Sequence, residues 1–241
     1  MALTSVRRGN IETFFSDGEQ IARWETQEDG QIKKEGAVID GSVESIFMND
    51  SGVETAFTAR YVKNELYEGI SRICWKNNCI KQDITYKSGT ANGPVRMFYE
   101  SGKIKFEGTY SGGQPQWPSK TYYESGVLQI EKYNEGSVGM YKSYYEDGRI
   151  ETEQAYKAGK EHGPYRIFYR SGAVKIEGTY NHGSKEGLYR IYHENGRIKV
   201  EGRYENGLAE GLYTLYYPSG KVMAEENYKA GKRDGAIRAL S

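Results

Sequence analysis

Residues 187–204 read GLYRIYHENGRIKVEGRY, and this stretch decides the fold. Its centre, Asn195-Gly196, is the strongest short-range sequence signal for a two-residue turn in which both residues take a positive φ. Apolar and charged residues alternate on both sides of the turn, as they do in strands that bury one face. The stretch therefore predicts a β-hairpin closed by a type I′ turn.

The turn sets a register that other copies of the stretch support. It places Arg190 opposite Glu201, and the same spacing brings opposite charges together throughout the chain. The equivalent pairs are Arg72–Asp83, Arg96–Glu107, Lys120–Glu131, Lys142–Glu153, Arg166–Glu177 and, with the signs exchanged, Glu12–Arg23. A one-residue slip would move every side chain to the other face, so the charge pattern fixes the register.

The register gives the hairpin one aromatic and apolar face and one charged face. The first face carries Tyr189, Ile191, His193, Ile198 and Val200, and the second carries Arg190, Tyr192, Glu194, Arg197, Lys199 and Glu201. Tyr189 lies opposite Gly202, and Tyr165 lies opposite Gly178. Both tyrosines are therefore predicted to cover a strand glycine that has no side chain of its own.

The hairpin recurs along the chain. MFYESGKIKFEGTY at 97–110 and IFYRSGAVKIEGTY at 167–180 repeat the motif, and the turn glycines from Gly102 to Gly220 are 24, 22, 24, 24 and 24 residues apart. Weaker copies continue toward the amino terminus with irregular gaps. A fixed period of this length is typical of repeat architectures. We predict an all-β fold, an elongated single-layer antiparallel sheet of about ten tandem β-hairpin repeats, irregular over 1–52 and regular over 53–241.

Composition narrows the possible functions. The chain has 30 glycines and 22 tyrosines, and its 33 basic residues balance 33 acidic ones. Nucleic-acid-binding proteins usually carry a basic excess, so the zero net charge argues against a nucleic-acid partner. The sequence has neither a long apolar span nor the apolar core of a signal peptide. These features predict a cytoplasmic protein without stable membrane insertion.

The repeated unit resembles the MORN repeat, in the variant form common in bacterial proteins. The elements E-G, Y-x-x-Y-Y-x-N/S-G and E-G-x-Y carry the resemblance, which covers about residues 9–240 and is clearest from Gly93 onward. It implies a single-layer sheet of hairpins, and functions that range over scaffolding, dimerisation and lipid contact. Bacterial variant arrays are often assigned as antitoxin or immunity proteins, so the resemblance also implies a toxin as the partner.

Aromatic residues that precede the turns are the candidate partner-binding residues. They form a column of Trp75, Tyr99, Tyr123, Tyr145, Tyr169 and Tyr217, which His193 interrupts. Trp117 lies in the sequence Gln114-Pro115-Gln116-Trp117-Pro118, where proline predicts a sheet edge or a bulge. Trp117 is either a packed residue or an exposed contact residue, because tryptophan is enriched at binding hot spots.

Residues with catalytic or metal-binding chemistry form no recognisable motif. His162 and His182 flank turns in successive units and are predicted to approach each other, but no further ligand at metal-binding spacing accompanies them. Cys74 and Cys79 form either a local disulfide or two reduced thiols, and a cytoplasmic location favours the thiols. We therefore predict no catalytic site, no metal and no cofactor.

The predicted function is a protein-binding repeat module, most concretely an immunity or antitoxin protein that neutralises a cognate toxin. A long aromatic face without an internal partner motivates this prediction. The alternatives are a self-associating scaffold, in which two faces meet in a homodimer, and a lipid-associated protein. Interleaved lysine and glutamate at zero net charge argue against the lipid alternative.

Overall fold

The computed structural model describes residues 3–8, 11–27, 31–37, 39–48, 54–62, 64–75, 79–135 and 137–239. Every regular element in these residues is a β-strand, which confirms the predicted all-β sheet of successive hairpins. They contain no helix that could span a membrane. The chain forms two compact units, unit 1 (Met1–Gly126) and unit 2 (Val127–Ser241). The predicted division at 52/53 concerns the regularity of the repeats and remains a prediction.

Unit 1 contains eleven strands within the described residues. They are β1 (Leu3–Arg8), β2 (Ile11–Ser16), β3 (Glu19–Thr26), β4 (Ile32–Gly36), β5 (Gly41–Met48), β6 (Glu54–Val62), β7 (Glu65–Cys74), β8 (Ile80–Lys87), β9 (Thr90–Phe98), β10 (Ile104–Ser111) and β11 (Gln114–Tyr122). Strands β5 to β11 pair in chain order, each antiparallel to the next. On the other side, β1 pairs parallel with β5, and β2, β3 and β4 follow outward from β1.

Strands β2–β4 fold back over β5–β7. Trp24 on β3 and Tyr61 on β6 are four steps apart in the strand order, which would separate them by about 19 Å in a flat sheet. Their ring centroids are only 5.4 Å apart. Lys34 of β4 likewise reaches Glu65 of β7, with 3.0 Å between Nζ and Oε1. The curl encloses a core of Phe14, Ala22, Trp24, Ile39, Val43 and Tyr61.

The first hairpin departs from the predicted register. Glu12 lies opposite Trp24, and Arg23 lies opposite Thr13, so the predicted Glu12–Arg23 pair is wrong. A bulge after Phe14 shifts the pairing by one residue. Glu12 is buried, with 6% of its surface exposed, on the same face of β2 as Phe14.

Unit 2 contains the other eleven strands of the described residues. They are β12 (Leu128–Glu135), β13 (Val138–Tyr144), β14 (Ile150–Lys157), β15 (Lys160–Phe168), β16 (Val174–Asn181), β17 (Ser184–Tyr192), β18 (Ile198–Glu205), β19 (Leu208–Tyr216), β20 (Val222–Lys229), β21 (Lys232–Arg233) and β22 (Arg238–Ala239). From β12 to β20 each strand is antiparallel to the next, and both β21 and β22 pair with β20.

The predicted register of the β17–β18 hairpin is confirmed as far as Ile191, which lies opposite Val200. Next to the turn the pairing shifts by one residue, so Tyr192 lies opposite Ile198 and not opposite Lys199, and the predicted turn type is wrong. Arg190 lies opposite Glu201, as predicted. At the turn, the Gly196 amide donates to the His193 carbonyl over 2.9 Å. Gly196 has a φ of +80°, whereas Asn195 is not in the positive-φ region. The loop is therefore a three-residue turn that ends in a bulge, not a type I′ turn.

Two-residue turns with two positive φ values occur instead between successive hairpins. In the second Asn-Gly sequence, Asn206 has a φ of +51° and Gly207 a φ of +84°. The other turns of this kind between hairpins are Ser88-Gly89, Gly112-Gly113, Ala158-Gly159, His182-Gly183 and Ala230-Gly231, and Asp17-Gly18 closes the first hairpin in the same way. These angles are those of the type I′ turn, whose twist matches that of the flanking strands.

A tyrosine covers each of the two strand glycines, but only one of them is the predicted tyrosine. Tyr165 lies opposite Gly178, where an added Cβ would be 2.8 Å from the tyrosine ring. Tyr189 lies opposite Gly202, but the ring nearest to that glycine belongs to Tyr213 of the next strand. Tyr213 reaches this place because residues 211–213 bulge opposite Gly202.

Candidate binding surfaces

The charged face consists of linked pairs. Arg72 binds Asp83 through two 2.7 Å hydrogen bonds, and Arg190 contacts Glu201 at 2.6 Å and Glu177 at 3.5 Å. Further ion pairs join Lys142 to Glu153 and Arg166 to Glu177. Arg96 lies opposite Glu107, as predicted. Partly exposed pairs of this kind contribute little stability, about 0.2–1 kcal/mol each, so their main effect is on register.

Tyrosine hydroxyl groups extend these charge pairs, which the sequence did not indicate. Tyr192 donates to Glu177 and Tyr122 donates to Glu107, each over 2.6 Å. Tyr144 donates to Glu131 in the same way. Burial, followed by the hydrogen bond to Glu177, raises the pKa of Tyr192. The carboxylates of this face are therefore occupied within the array.

The aromatic column (Trp75, Tyr99, Tyr123, Tyr145, Tyr169, His193 and Tyr217) ties successive hairpins together. Its polar atoms bond to a backbone carbonyl 23 residues further along the chain. The bonds are Trp75 to Phe98 (3.3 Å), Tyr99 to Tyr122, Tyr145 to Phe168 and Tyr169 to Tyr192 (2.7 Å each), and His193 to Tyr216 (2.9 Å). The expectation that this face lacks an internal partner is therefore wrong for these five residues.

Cations cover the rings of the same column. Lys81 lies over Trp75, Lys105 over Tyr99, Arg170 over Tyr145 and Lys175 over Tyr169, at 4.6 to 5.6 Å from the ring centroids. Burial raises the pKa of Tyr99 and Tyr145. All members from Trp75 to His193 are half-buried, whereas Tyr217 is 46% exposed. The residue 23 positions after Tyr217 lies outside the described residues.

Trp117 lies in strand β11 and is half-buried. Its bond to Pro118 is cis, and Gln116 pairs with Thr109 of β10. The pairing of β10 and β11 shifts between Glu107 and Thr109, so the predicted bulge at this place is confirmed. Whether a partner contacts Trp117 stays a prediction.

A row of tyrosines fills the aromatic and apolar face of unit 2. Adjacent rings contact each other at 4.8 to 6.3 Å between centroids in the pairs Tyr165–Tyr180, Tyr189–Tyr204, Tyr204–Tyr213 and Tyr213–Tyr228. Tyr165 and Tyr213 keep only 6% and 7% of their surface exposed. Burial raises the pKa of both hydroxyl groups. This row is packed against itself and leaves little surface for a partner.

Three leucines near the carboxy-terminal end of unit 2 are exposed instead. Leu188, Leu208 and Leu212 expose 50%, 49% and 51% of their surface. Leu188 shares the charged face with Arg190, because the two residues are two positions apart on β17. Leu188 and Leu212 lie on strands separated by one strand, which places them about 10 Å apart. We call Leu188, Leu208 and Leu212 the exposed leucines.

The predicted histidine pair is confirmed. The rings of His162 and His182 are 4.8 Å apart between centroids, with His162 half-buried and His182 exposed. In the described part of the chain, no group of three or more histidine, cysteine, aspartate and glutamate residues could hold a metal ion. The possible Cys74–Cys79 disulfide involves the Cys74 side chain, which lies outside the described part of the structure.

Unit 1 contains a cavity of about 360 Å³ that residues of β1–β4 and β6–β8 line. Its aromatic lining consists of Trp24, Tyr61, Tyr67 and Tyr86. Two ion pairs border it: the guanidinium of Arg7 is 4.0 Å from the Glu12 carboxylate, and Lys34 bonds to Glu65. Only the shortened repeat spacing near the amino terminus pointed to an unusual structure here.

Several polar groups around the cavity are buried. Glu12 accepts a 2.8 Å hydrogen bond from the Ser5 hydroxyl, and one Arg7 nitrogen donates to the Arg72 carbonyl. Burial and the nearby Glu12 carboxylate raise the pKa of Tyr61. Two buried N–H groups, Nε of Arg7 and Nε1 of Trp24, have no hydrogen-bond partner among the described residues.

Five segments of the chain match the family described as MORN repeat variant. They are residues 91–111, 137–158, 161–182, 185–206 and 209–230, which together make up a little under half of the chain. No curated protein matches the chain. The matches confirm the resemblance to the MORN repeat in these five segments, and repeats of this kind suggest a binding or scaffold module.

Proposed function

We propose that this protein is a non-catalytic module that binds a second protein through its hairpin array, and that this partner is a bacterial toxin that binding neutralises. The exposed leucines carry the proposal. Large apolar side chains that remain half exposed within three consecutive strands favour burial against a partner. The resemblance to bacterial MORN variant arrays supports a toxin as that partner.

The aromatic column forms the second part of the proposed surface. The polar groups of Trp75, Tyr99, Tyr145 and Tyr169 bond within the array, but the rings of these four residues and of Tyr123 are only half-buried. Rigid rings of this kind contribute contact area at a low cost in conformational entropy. Tyr217, exposed and at the carboxy-terminal end of the column, and Trp117 complete the proposed contact residues.

The second candidate is a self-associating scaffold, which the same exposed leucines favour. Apolar side chains on a surface with interleaved charges of both signs also suit a second copy of the same chain. The two candidates differ in what covers Leu188 and Leu212: another protein in the first, and the same chain in the second.

Affinity purification from the native organism tests both candidates. The full chain is compared with a Leu188→Ser/Leu212→Ser variant and with the control Ile104→Ser, since Ile104 is exposed to 39% but lies in unit 1. We expect one protein to co-purify with the wild type and the control, but not with the double variant. That protein should arrest growth when it is expressed alone, and co-expression of the wild type should restore growth.

The possible outcomes distinguish toxin neutralisation, binding of another protein and self-association. A stoichiometric partner without toxicity would overturn toxin neutralisation and leave protein binding in place. Ultracentrifugation that shows a dimer of the wild type and a monomer of the double variant, with no second protein bound, would favour the scaffold. Equal capture by the wild type and the double variant would remove the exposed leucines from the site.

A further inference from the structure

We propose that Asn206 is a site of spontaneous deamidation, and that the fold protects the other two Asn-Gly sequences of the chain. These are Asn92-Gly93 and Asn195-Gly196. Asparagine is a thermolabile residue, and a following glycine makes it more reactive, because glycine has no side chain to shield its amide nitrogen. The reaction is a property of the chain itself and does not depend on the proposed protein partner.

The reaction needs only the chain and water. The Gly207 nitrogen attacks the side-chain carbonyl carbon (Cγ) of Asn206, and the new N–Cγ bond closes a succinimide ring. The side-chain NH₂ group leaves as ammonia and carries away the glycine proton. Water then opens the ring at either carbonyl. One product is aspartate, and the other is isoaspartate, in which the main chain runs through the former side chain and is one carbon atom longer.

The asparagine side chain must rotate over the main chain before this attack, and Asn195 is held in place. Its Nδ2 donates to the Pro218 carbonyl over 3.0 Å, and its Oδ1 accepts from the Arg197 amide over 3.1 Å. Asn206 donates through its main-chain N–H, whereas its side-chain amide has no partner among the described residues. Hydrogen bonds from a side chain to the backbone favour one local geometry, so they slow the reaction of Asn195.

The glycine N–H groups do not distinguish Asn195 from Asn206. Gly196 donates to the His193 carbonyl and Gly207 donates to the Lys185 carbonyl, each over 2.9 Å. Both bonds must break before the attack, so their cost is common to the two sites. The difference is therefore in the side-chain hydrogen bonds, and two bonds of ordinary strength correspond to a factor of about ten in rate.

Asn92-Gly93 is protected by its position within strand β9. This strand pairs with β8 on one side and with β10 on the other. Gly93 lies opposite Tyr110, and a Cβ added to Gly93 would be 3.1 Å from the Thr85 side chain. Ring closure would move the main chain between two partner strands and break ladder hydrogen bonds. Both residues of Asn206-Gly207 are instead exposed and lie in a turn.

Deamidation would change the turn between β18 and β19. Glu205 pairs with Leu208 across the two turn residues, so the extra backbone atom of isoaspartate has no room in this pairing. Either product also adds a carboxylate next to Glu205, on the residue whose N–H donates to the Glu186 carboxylate over 2.9 Å. Like charges at short distance repel each other. We therefore expect faster amide hydrogen exchange in β18 and β19 after deamidation.

Incubation of the folded full chain in a mildly alkaline buffer tests the proposal. The tryptic peptides 88–96, 191–197 and 204–221 each contain one Asn-Gly sequence, and mass spectrometry follows the replacement of NH₂ by OH in each. We expect the product in peptide 204–221 first, about ten times faster than in peptide 191–197. In concentrated urea the three rates should become similar, because the fold that distinguishes the sites is lost.

Asn206→Gly is the matched control, since Gly112-Gly113 already forms the same kind of turn in this chain. We expect incubation to leave the amide exchange of β18 and β19 unchanged in this variant. In the wild type, exchange in the same strands should become faster as the product accumulates in peptide 204–221.

Three results would overturn the proposal. The first is a reaction of Asn195 in the folded chain that is as fast as that of Asn206. The second is no product at Asn206 in the folded chain while the unfolded chain reacts there, which would mean that the bond from Gly207 to Lys185 protects the site. The third is the same order of rates in urea, which would mean that neighbours in the sequence, and not the fold, decide the order.

Discussion

The amino-terminal strands β1–β5 and the hairpins β13–β20 use the same element and are stabilised in different ways. In the first region Phe14, Ile39 and Val43 keep 1% or less of their surface exposed. Among the described residues of unit 2, the most buried hydrophobic side chains keep 6% or more. The first region has a local core, whereas the second spreads its stability over contacts between neighbouring repeats.

The largest expected effect concerns the local core. Phe14→Ala should lower the free energy of unfolding by about 3–5 kcal/mol, because it removes a fully buried ring that packs 4.4 Å from Trp24 and leaves a cavity. Urea unfolding followed by the fluorescence of Trp24 measures the loss. The control Phe168→Ala, at a half-buried ring of β15, should cost clearly less. Equal losses would mean that stability is not concentrated in the amino-terminal strands.

The next effect concerns the packing of neighbouring repeats. Gly202→Ala should destabilise unit 2 by about 1–3 kcal/mol, because the new methyl group would collide with the ring of Tyr213 and overpack the site. Thermal and urea unfolding measure the change. In a Tyr213→Leu background the same substitution should cost much less. A cost that does not depend on residue 213 would show that the ring is not the cause.

The smallest expected effect concerns the hydrogen bonds of the aromatic column. Tyr169→Phe removes one hydroxyl group that bonds to the Tyr192 carbonyl over 2.7 Å, and it should cost about 0.5–1.5 kcal/mol. Amide hydrogen exchange of β17 and β18 shows whether the loss is local. Tyr217→Phe, at the exposed end of the column, should cost less. An unchanged stability of Tyr169→Phe would mean that the column does not hold the hairpins together.

The regular hairpins could be predicted because their signals are local. The pairing of Arg190 with Glu201 follows from alternation and from one turn, and both are visible within eighteen residues. The turn type could not be predicted, because Asn195-Gly196 and Asn206-Gly207 are the same dipeptide. What separates them is the length of the loop, three residues at Gly196 and two at Gly207, and that length depends on how the flanking strands pair, not on the turn residues.

The amino-terminal region could not be predicted because its contacts are distant in sequence. The parallel pairing of β1 with β5 has no local signature, and a bulge after Phe14 replaces the predicted partner of Glu12 by Trp24. The hydrogen bonds of the aromatic column could not be predicted for a similar reason. They depend on the distance from Tyr169 to a carbonyl on the next hairpin, which residue types alone do not reveal.

Strand β1 pairs on both sides, with β2 and with β5, so neither of its edges can accept a further strand. The free edge on the β2 side belongs to β4, a strand of only five residues, Ile32–Gly36, that carries Lys33 and Lys34. Short edge strands with lysine side chains are a common defence against edge-to-edge aggregation. Lys34 also fastens this edge to Glu65 and to the Asn64 carbonyl. The edge of unit 1 at β4 is therefore protected against the addition of further strands.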